Sequence, residues 1–151
     1  MKQILNFING EFVATAKQFE KRTPVDNSII GMVHEAGKAE VDAAVSAARA
    51  ALDGPWGRMT VNERTDLLNK VADEITRRFD EFLAAECADT GKPKSLASHI
   101  DIPRGAANFK IFADVIKNAP TEAFEMATPD GRGALNYSVR RPVGVVGVVC
   151  P

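Results

Sequence analysis

Two cysteines, two histidines and one lysine-centred turn are the groups in this chain whose chemistry could be more than structural. Cys150 comes first, because it ends the apolar, β-branched stretch Val143-Gly144-Val145-Val146-Gly147-Val148-Val149-Cys150, and open α/β sheets bind ligands beyond the carboxyl ends of their strands. A nucleophilic thiol needs a nearby cation, base or helix amino terminus to become thiolate. Val146-Gly147-Val148-Val149 supply none of these, so Cys150 reads as a wall of a cofactor crevice. Cys87, one turn beyond Leu83, reads as a small hydrophobe packed in a core. Ser98, His99 and Asp101 have the residue types of a hydrolase triad, but triad partners meet through folding and not as sequence neighbours. His99 reads as a surface or capping residue. His34 ends a short β-branched run without a second ligand near it, which gives a metal role no support. Gly91-Lys92-Pro93 lacks the preceding glycine and the following hydroxyl of a phosphate loop, and proline offers no backbone donor.

Several changes of hydrophobic period mark the elements that must position these groups. Phe7-Ile8-Asn9-Gly10-Glu11-Phe12-Val13 sets Asn-Gly between short apolar runs, which predicts a tight β-hairpin. Thr23-Pro24-Val25-Asp26-Asn27 predicts a turn leading into a strand over 29–34. Val41, Ala44, Val45, Ala48 and Leu52 then fall on one helix face, and Gly54-Pro55 ends that helix. Thr60-Val61-Asn62-Glu63 has the capping-box spacing, and Leu67, Leu68, Val71, Ile75, Phe79 and Phe82 predict one long second helix stopped by Gly91 and Pro93. A third is expected from near Asp101 to Asn118, with Pro103 in its first turn. Residues 134–140 alternate, Leu135, Tyr137 and Val139 against Asn136, Ser138 and Arg140, as a strand with one wet face should. Residues 143–150 read instead as a strand covered on both faces, the signature of a parallel sheet. Such a strand needs partners reached by a crossover, and no crossover comes after it, so the chain is expected to be a truncation.

Composition narrows the function classes. With 45% hydrophobic and 26% charged residues, the chain has the balance of a globular domain and not of a disordered segment. Its 19 basic and 20 acidic residues are interspersed, so no face is set aside to track phosphates and nucleic acid is not expected as a partner. Neither a secretory leader nor a membrane-length apolar run is present, and the two cysteines form no disulfide framework; a cytoplasmic setting is expected. No metal site is expected.

Taken together, several blocks resemble one family, the aldehyde dehydrogenases. Phe7-Ile8-Asn9-Gly10-Glu11-Phe12 is similar to their opening hairpin, and Val41-Asp42-Ala43-Ala44-Val45 with Ala48-Arg49-Ala50-Ala51 to their first helix. Trp56, Glu63-Arg64, Leu67-Leu68 and the run from Ala72 to Ile75 resemble the second. Asp89-Thr90-Gly91-Lys92-Pro93 is similar to the turn after it, and Arg141-Pro142-Val143-Gly144-Val145-Val146-Gly147 to the entry into the nucleotide-binding sheet. Within the family, the run from Lys92 to Gly105 and Pro120-Thr121-Glu122-Ala123-Phe124 look most like the branch acting on 2-hydroxymuconic semialdehyde in catechol meta-cleavage. Other branches, on betaine aldehyde or of the acylating type, are the alternatives within the fold. A non-enzymatic oligomerising module is the alternative outside it.

The resemblance implies an incomplete α/β fold: hairpin, three helices, β-ribbon and the first strand of a Rossmann-like sheet. It divides the chain into an amino-terminal part of the NAD-binding domain (1–120), an oligomerisation ribbon (121–141) and a first sheet strand (142–151). It implies NAD as cofactor, a small aldehyde as substrate, and a dimer or tetramer at full length. In the family a cysteine thiolate attacks the aldehyde, hydride passes to NAD and a glutamate-activated water releases the acid. Those catalytic residues have no counterpart in this chain, which is expected to be inactive alone. Pro151 would open a Pro-Trp-Asn motif whose asparagine helps hold the oxyanion. Val149, Cys150 and Pro151 match positions lining the NAD crevice, although Cys150 stands where a serine or aliphatic residue is usual. The helix near Asp101 to Asn118 corresponds to one lining the substrate tunnel, and Arg104 near its start could grip the carboxylate of a muconic semialdehyde bidentately.

Overall fold

The structure, a computed structural model, describes residues 1–150. Its first fifth is β structure. Asn6–Ile8 (β2) and Glu11–Val13 (β3) form the expected hairpin, with Asn9 and Gly10 both at positive φ (52° and 85°), as a two-residue turn between twisted strands requires. Gln3–Ile4 (β1), Gln18–Arg22 (β4) and Ile29–His34 (β5) make a three-stranded sheet in the order β1-β5-β4, with β1 parallel and β4 antiparallel to β5. The turn before β5 forms where Thr23-Pro24-Val25-Asp26-Asn27 predicts it, closed by Asn27 N–H on the Thr23 carbonyl and Ser28 N–H on Asp26 Oδ1. β1 and β4 lack a sequence signal: the first is two residues long and the second is mostly polar, Gln-Phe-Glu-Lys-Arg.

The helices are Lys38–Ala51 (α1), Pro55–Arg58 (α2), Val61–Arg77 (α3), Phe79–Thr90 (α4), Lys94–Leu96 (α5) and Ile102–Lys117 (α6). Thr60 caps α3 as expected, its hydroxyl accepting from Glu63 N–H while Glu63 Oε2 accepts from Thr60 N–H at 2.7 Å. The single long second helix is corrected to two. Arg78 (φ −98°, ψ 26°) leaves helical geometry, closing α3 and opening α4. The apolar period runs on across this break and hides it. The redirected α4 brings Leu83 against Ala97 and Ile102, with Ile75, Phe79 and Cys87 alongside.

The third helix also starts earlier than expected. Helical backbone begins at Lys94 and passes through a π turn, Ala97–Asp101, before α6. Ile102 N–H bonds the Ala97 carbonyl, five residues back. The extra residue sets Ala97 and Ile102 together on the core side, whereas an unbroken α-helix would point Asp101, four residues after Ala97, the same way. α3 and α6 form the most extensive helix pair. Thr65 and Ala72 on one and Ala106 and Ala113 on the other are buried, and small side chains let the backbones approach until Thr65 Oγ lies 3.4 Å from the Ala113 carbonyl.

Ala123–Met126 (β6) and Ala134–Tyr137 (β7) pair antiparallel as the ribbon. The alternation of β7 holds, but its exposed side is the apolar one: Leu135 and Tyr137 face solvent while Asn136 is half-buried. Residues 143–150 form no strand. A β-ladder needs a neighbour about 4.8 Å away, and none of the described strands runs beside this stretch; Val143 and Val149 are accordingly 95% and 96% exposed. The accessible surface is 11637 Å², against about 7,500 Å² for a closed monomer of this mass. Most of the difference is helix, ribbon and tail surface that packs against nothing in this chain. No described helix is long and apolar enough to cross a membrane.

Candidate functional site

Two regions carry the candidate residues. The first is the tail and the cleft it borders. Pro55 opens the short α2 after Gly54, and Trp56 comes next; Arg64, one turn into α3, stacks its guanidinium 5.4 Å from the Trp56 ring and donates to the carbonyls of Trp56 and Gly57 at 3.3 and 3.2 Å. Arg140 donates to the Pro120 carbonyl at 2.9 Å, which ties the end of the ribbon to the end of α6. Between these anchors lies an open cleft of about 550 Å³, walled by Trp56, Arg64, Ile116, Arg141, Val143 and Val146. Val149 and Cys150 lie beyond it and are exposed; Pro151 is outside the described residues.

The second region is the start of α6. Arg104 lies in its first turn, exposed, and forms no ion pair or hydrogen bond with another described residue. What holds that turn is a bridge from Lys92. Its Nζ lies 3.2 Å from Glu86 Oε1 on α4 and 3.1 Å from Asp101 Oδ1 at the end of the π turn. These two carboxylates hold the Lys92 ammonium above the ordinary lysine range, the Asp101 hydrogen bond contributing most and Glu86 next. Asp101 Oδ2 is buried and has no partner within the described residues. Lys92 is delivered there by Gly91, which ends α4 in the left-handed conformation (φ 71°).

The remaining candidates fall into structural places. His34 is buried, its Nδ1 2.8 Å from both Thr15 N and Thr15 O and its Nε2 3.0 Å from Gln3 Oε1, so it fastens β1 and the loop after β3 to β5. His99 is exposed; its Nδ1 lies 3.0 Å from Ser98 Oγ and 2.8 Å from the Ser95 carbonyl, while Asp101 points to Lys92. Cys87 packs against the Leu83, Ala97 and Ile102 cluster. The structure thus brings Ser98 and His99 together but turns Asp101 away to Lys92, so the three form no relay. Among the described residues, no hydrogen bond or ion pair joins Arg104 to Val149 or Cys150. The Lys92 bridge and the Trp56–Arg64 stack are not visible in the sequence patterns. The one available signal is a lysine just past a helix-ending glycine with acidic residues at Glu86 and Asp101.

The sequence pattern of the aldehyde dehydrogenase family matches residues 12–151. The chain is 69% identical to a 2-hydroxymuconic semialdehyde dehydrogenase of Pseudomonas sp. (strain CF600), over 100% of this chain and 32% of that protein. It is 52% identical to a 2-aminomuconic 6-semialdehyde dehydrogenase of Pseudomonas sp., over 100% of this chain and 31% of the other. Among solved structures, the NAD+ complex of the Bacillus cereus aldehyde dehydrogenase superposes with a TM-score of 0.79 at 36% identity, covering 90% of this chain and 28% of that one. The chain spans about a third of the length of the curated relatives it matches.

Proposed function

Because the chain belongs to the aldehyde dehydrogenase family, we propose that it contributes the amino-terminal third of an NAD-dependent enzyme that oxidises 2-hydroxymuconic semialdehyde, or a semialdehyde close to it, to the carboxylate. The observation that carries this reading is the 69% identity to a protein of that name along the whole chain. NAD supplies, when bound, the acceptor for the hydride leaving the aldehyde carbon. Val149, Cys150 and Pro151 are the residues that would border it. Val148 and Val149 are 81% and 96% exposed and Cys150 is exposed. An uncharged, apolar stretch of this kind fits the faces of a nucleotide ring and would give a phosphate no cation.

Arg104 is the group proposed for the substrate. Its guanidinium is exposed and unpaired among the described residues, and a planar fork of N–H donors matches a carboxylate with two parallel hydrogen bonds. A semialdehyde with a carboxylate at its far end would be oriented by that grip, and a neutral aldehyde would lose it. The ribbon β6–β7 is proposed to pair between subunits through its free edges and its exposed Leu135 and Tyr137.

The reading is tested by measuring NADH formation by the purified protein at its relatives' full length. A higher kcat/KM for 2-hydroxymuconic semialdehyde than for a neutral aldehyde of similar size supports it. A preference for the neutral aldehyde, or an absolute need for coenzyme A, contradicts it.

A further inference from the structure

We propose that Lys92 and Asp101 are positioning residues for Arg104, setting the carboxylate grip by clamping the π turn from which α6 starts. This rests on the proposed role of Arg104 as the substrate's carboxylate partner.

The rotational setting of α6 depends on that turn. Each residue added to a helix rotates the remainder of the helix by about 100° and advances it by about 1.5 Å, so α6 with the π turn and α6 without it aim Arg104 in different directions. A π turn carries one residue more than the α-helical ladder needs and persists only where its surroundings hold it. Two anchors do so here. On the inner side, Ala97 and Ile102, five residues apart, both pack on Leu83. On the outer side, Asp101, displaced from the core by the same extra residue, meets Lys92 Nζ at 3.1 Å, and Lys92 is tied back to Glu86 on α4 at 3.2 Å. Arg104 lies three residues after Asp101, within the same turn of α6.

Each anchor has a different role. The apolar one is a matter of burial and tolerates a modest change of register. The ionic one fixes a particular residue, because Asp101 can reach Lys92 only with the π turn in place. Asp101 Oδ2 is buried without a partner, so the Lys92 contact on Oδ1 is the only direct compensation for this carboxylate among the described residues. Without Lys92, no ion pair among the described residues ties Asp101 outward, the apolar anchor alone sets the register of the π turn, and the direction of Arg104 is no longer fixed.

The test is steady-state kinetics at the relatives' full length. The readout is kcat/KM for the carboxylated semialdehyde divided by kcat/KM for a neutral aldehyde. Lys92→Met is expected to lower this ratio roughly tenfold, mainly through KM for the carboxylated substrate, as a misplacement of about 1 Å is enough to do. Lys92→Arg, which keeps a cation between Glu86 and Asp101, restores most of it. Asp101→Asn, which keeps the volume, reproduces the loss and decides the matter if Lys92→Met fails to fold. In an Arg104→Ala background, Lys92→Met no longer changes the ratio, because the residue through which it acts is gone. An unchanged ratio in both Lys92→Met and Asp101→Asn overturns the proposal, as does an equal fall with and without Arg104. If Arg104→Ala alone leaves the ratio unchanged, the carboxylate reading fails first and the positioning role with it.

Discussion

Gly91 at the end of α4 lies against Pro24 in the turn before β5, so close that a β-carbon on Gly91 would come within 2.9 Å of Pro24 Cγ. This contact locks the small sheet to the helical body next to the lysine that holds α6. Gly91 also has φ of 71°, a conformation in which a β-carbon is strained whatever the space. Gly91→Ala is therefore expected to destabilise the protein by about 1–3 kcal/mol. Urea unfolding monitored by circular dichroism checks this, and a change smaller than about 0.5 kcal/mol would mean that the turn adapts freely.

The cap of α3 makes a prediction with a pH dependence. Thr60→Ala removes the hydroxyl that accepts from Glu63 N–H and should cost about 1 kcal/mol. Glu63 itself is held below the ordinary carboxylate range, first by the Thr60 backbone N–H and then by the Thr60 hydroxyl. A depressed carboxylate adds stability above its unfolded value, near pH 4.3, and loses it as pH falls through the lower folded value. The stability gap between wild type and Glu63→Gln should thus be present at neutral pH and close below about pH 4. A gap that persists at low pH would assign the effect to something other than the charge.

Lys92 gives the opposite sign. Its ammonium is held above the ordinary range by Asp101 and Glu86, so its contribution is present below the unfolded value of about 10.4 and is lost as pH rises through the folded one. Stability of wild type relative to Lys92→Met should be level from neutral pH to about pH 10 and decline above it. A decline beginning near neutrality would contradict the bridge.

Leu83 belongs to the cluster that joins α4 to the π turn and is 3% exposed. Leu83→Ala should cost about 2–5 kcal/mol by transfer and cavity. Because so few large side chains are buried in this chain, the same substitution is expected to flatten its unfolding transition. A transition as steep as that of wild type would show that the core extends beyond this cluster.

Much of the scaffold is legible in the sequence because its signals are local. Asn9-Gly10, Thr60 to Glu63 and Gly91-Pro93 each announce a turn or a helix end through the backbone they need, and each lies where it is read. The break at Arg78 and the π turn at Ala97–Asp101 are not legible, because both are set by packing of α4 against α6. An apolar period shows which residues face inward and not whether the axis bends. The strand over 143–150 is legible as a pattern and is not formed, because pairing is a property of two segments and none of the described strands runs beside this one. For the candidate site, Cys150 is named from its place at the end of an apolar stretch, Arg104, Val149 and Pro151 from resemblance, while Lys92 and Asp101 emerge only once α4 and α6 are placed side by side.

Whether Arg104 faces a carboxylated aldehyde is addressed directly by one comparison: KM of wild type and Arg104→Ala, at the relatives' full length, for a semialdehyde bearing a carboxylate and for a neutral aldehyde of matched size. Loss of a bidentate charged contact is expected to raise KM for the carboxylated substrate by at least about tenfold and by far more than for the neutral one. Equal increases for both, or none for either, would contradict it.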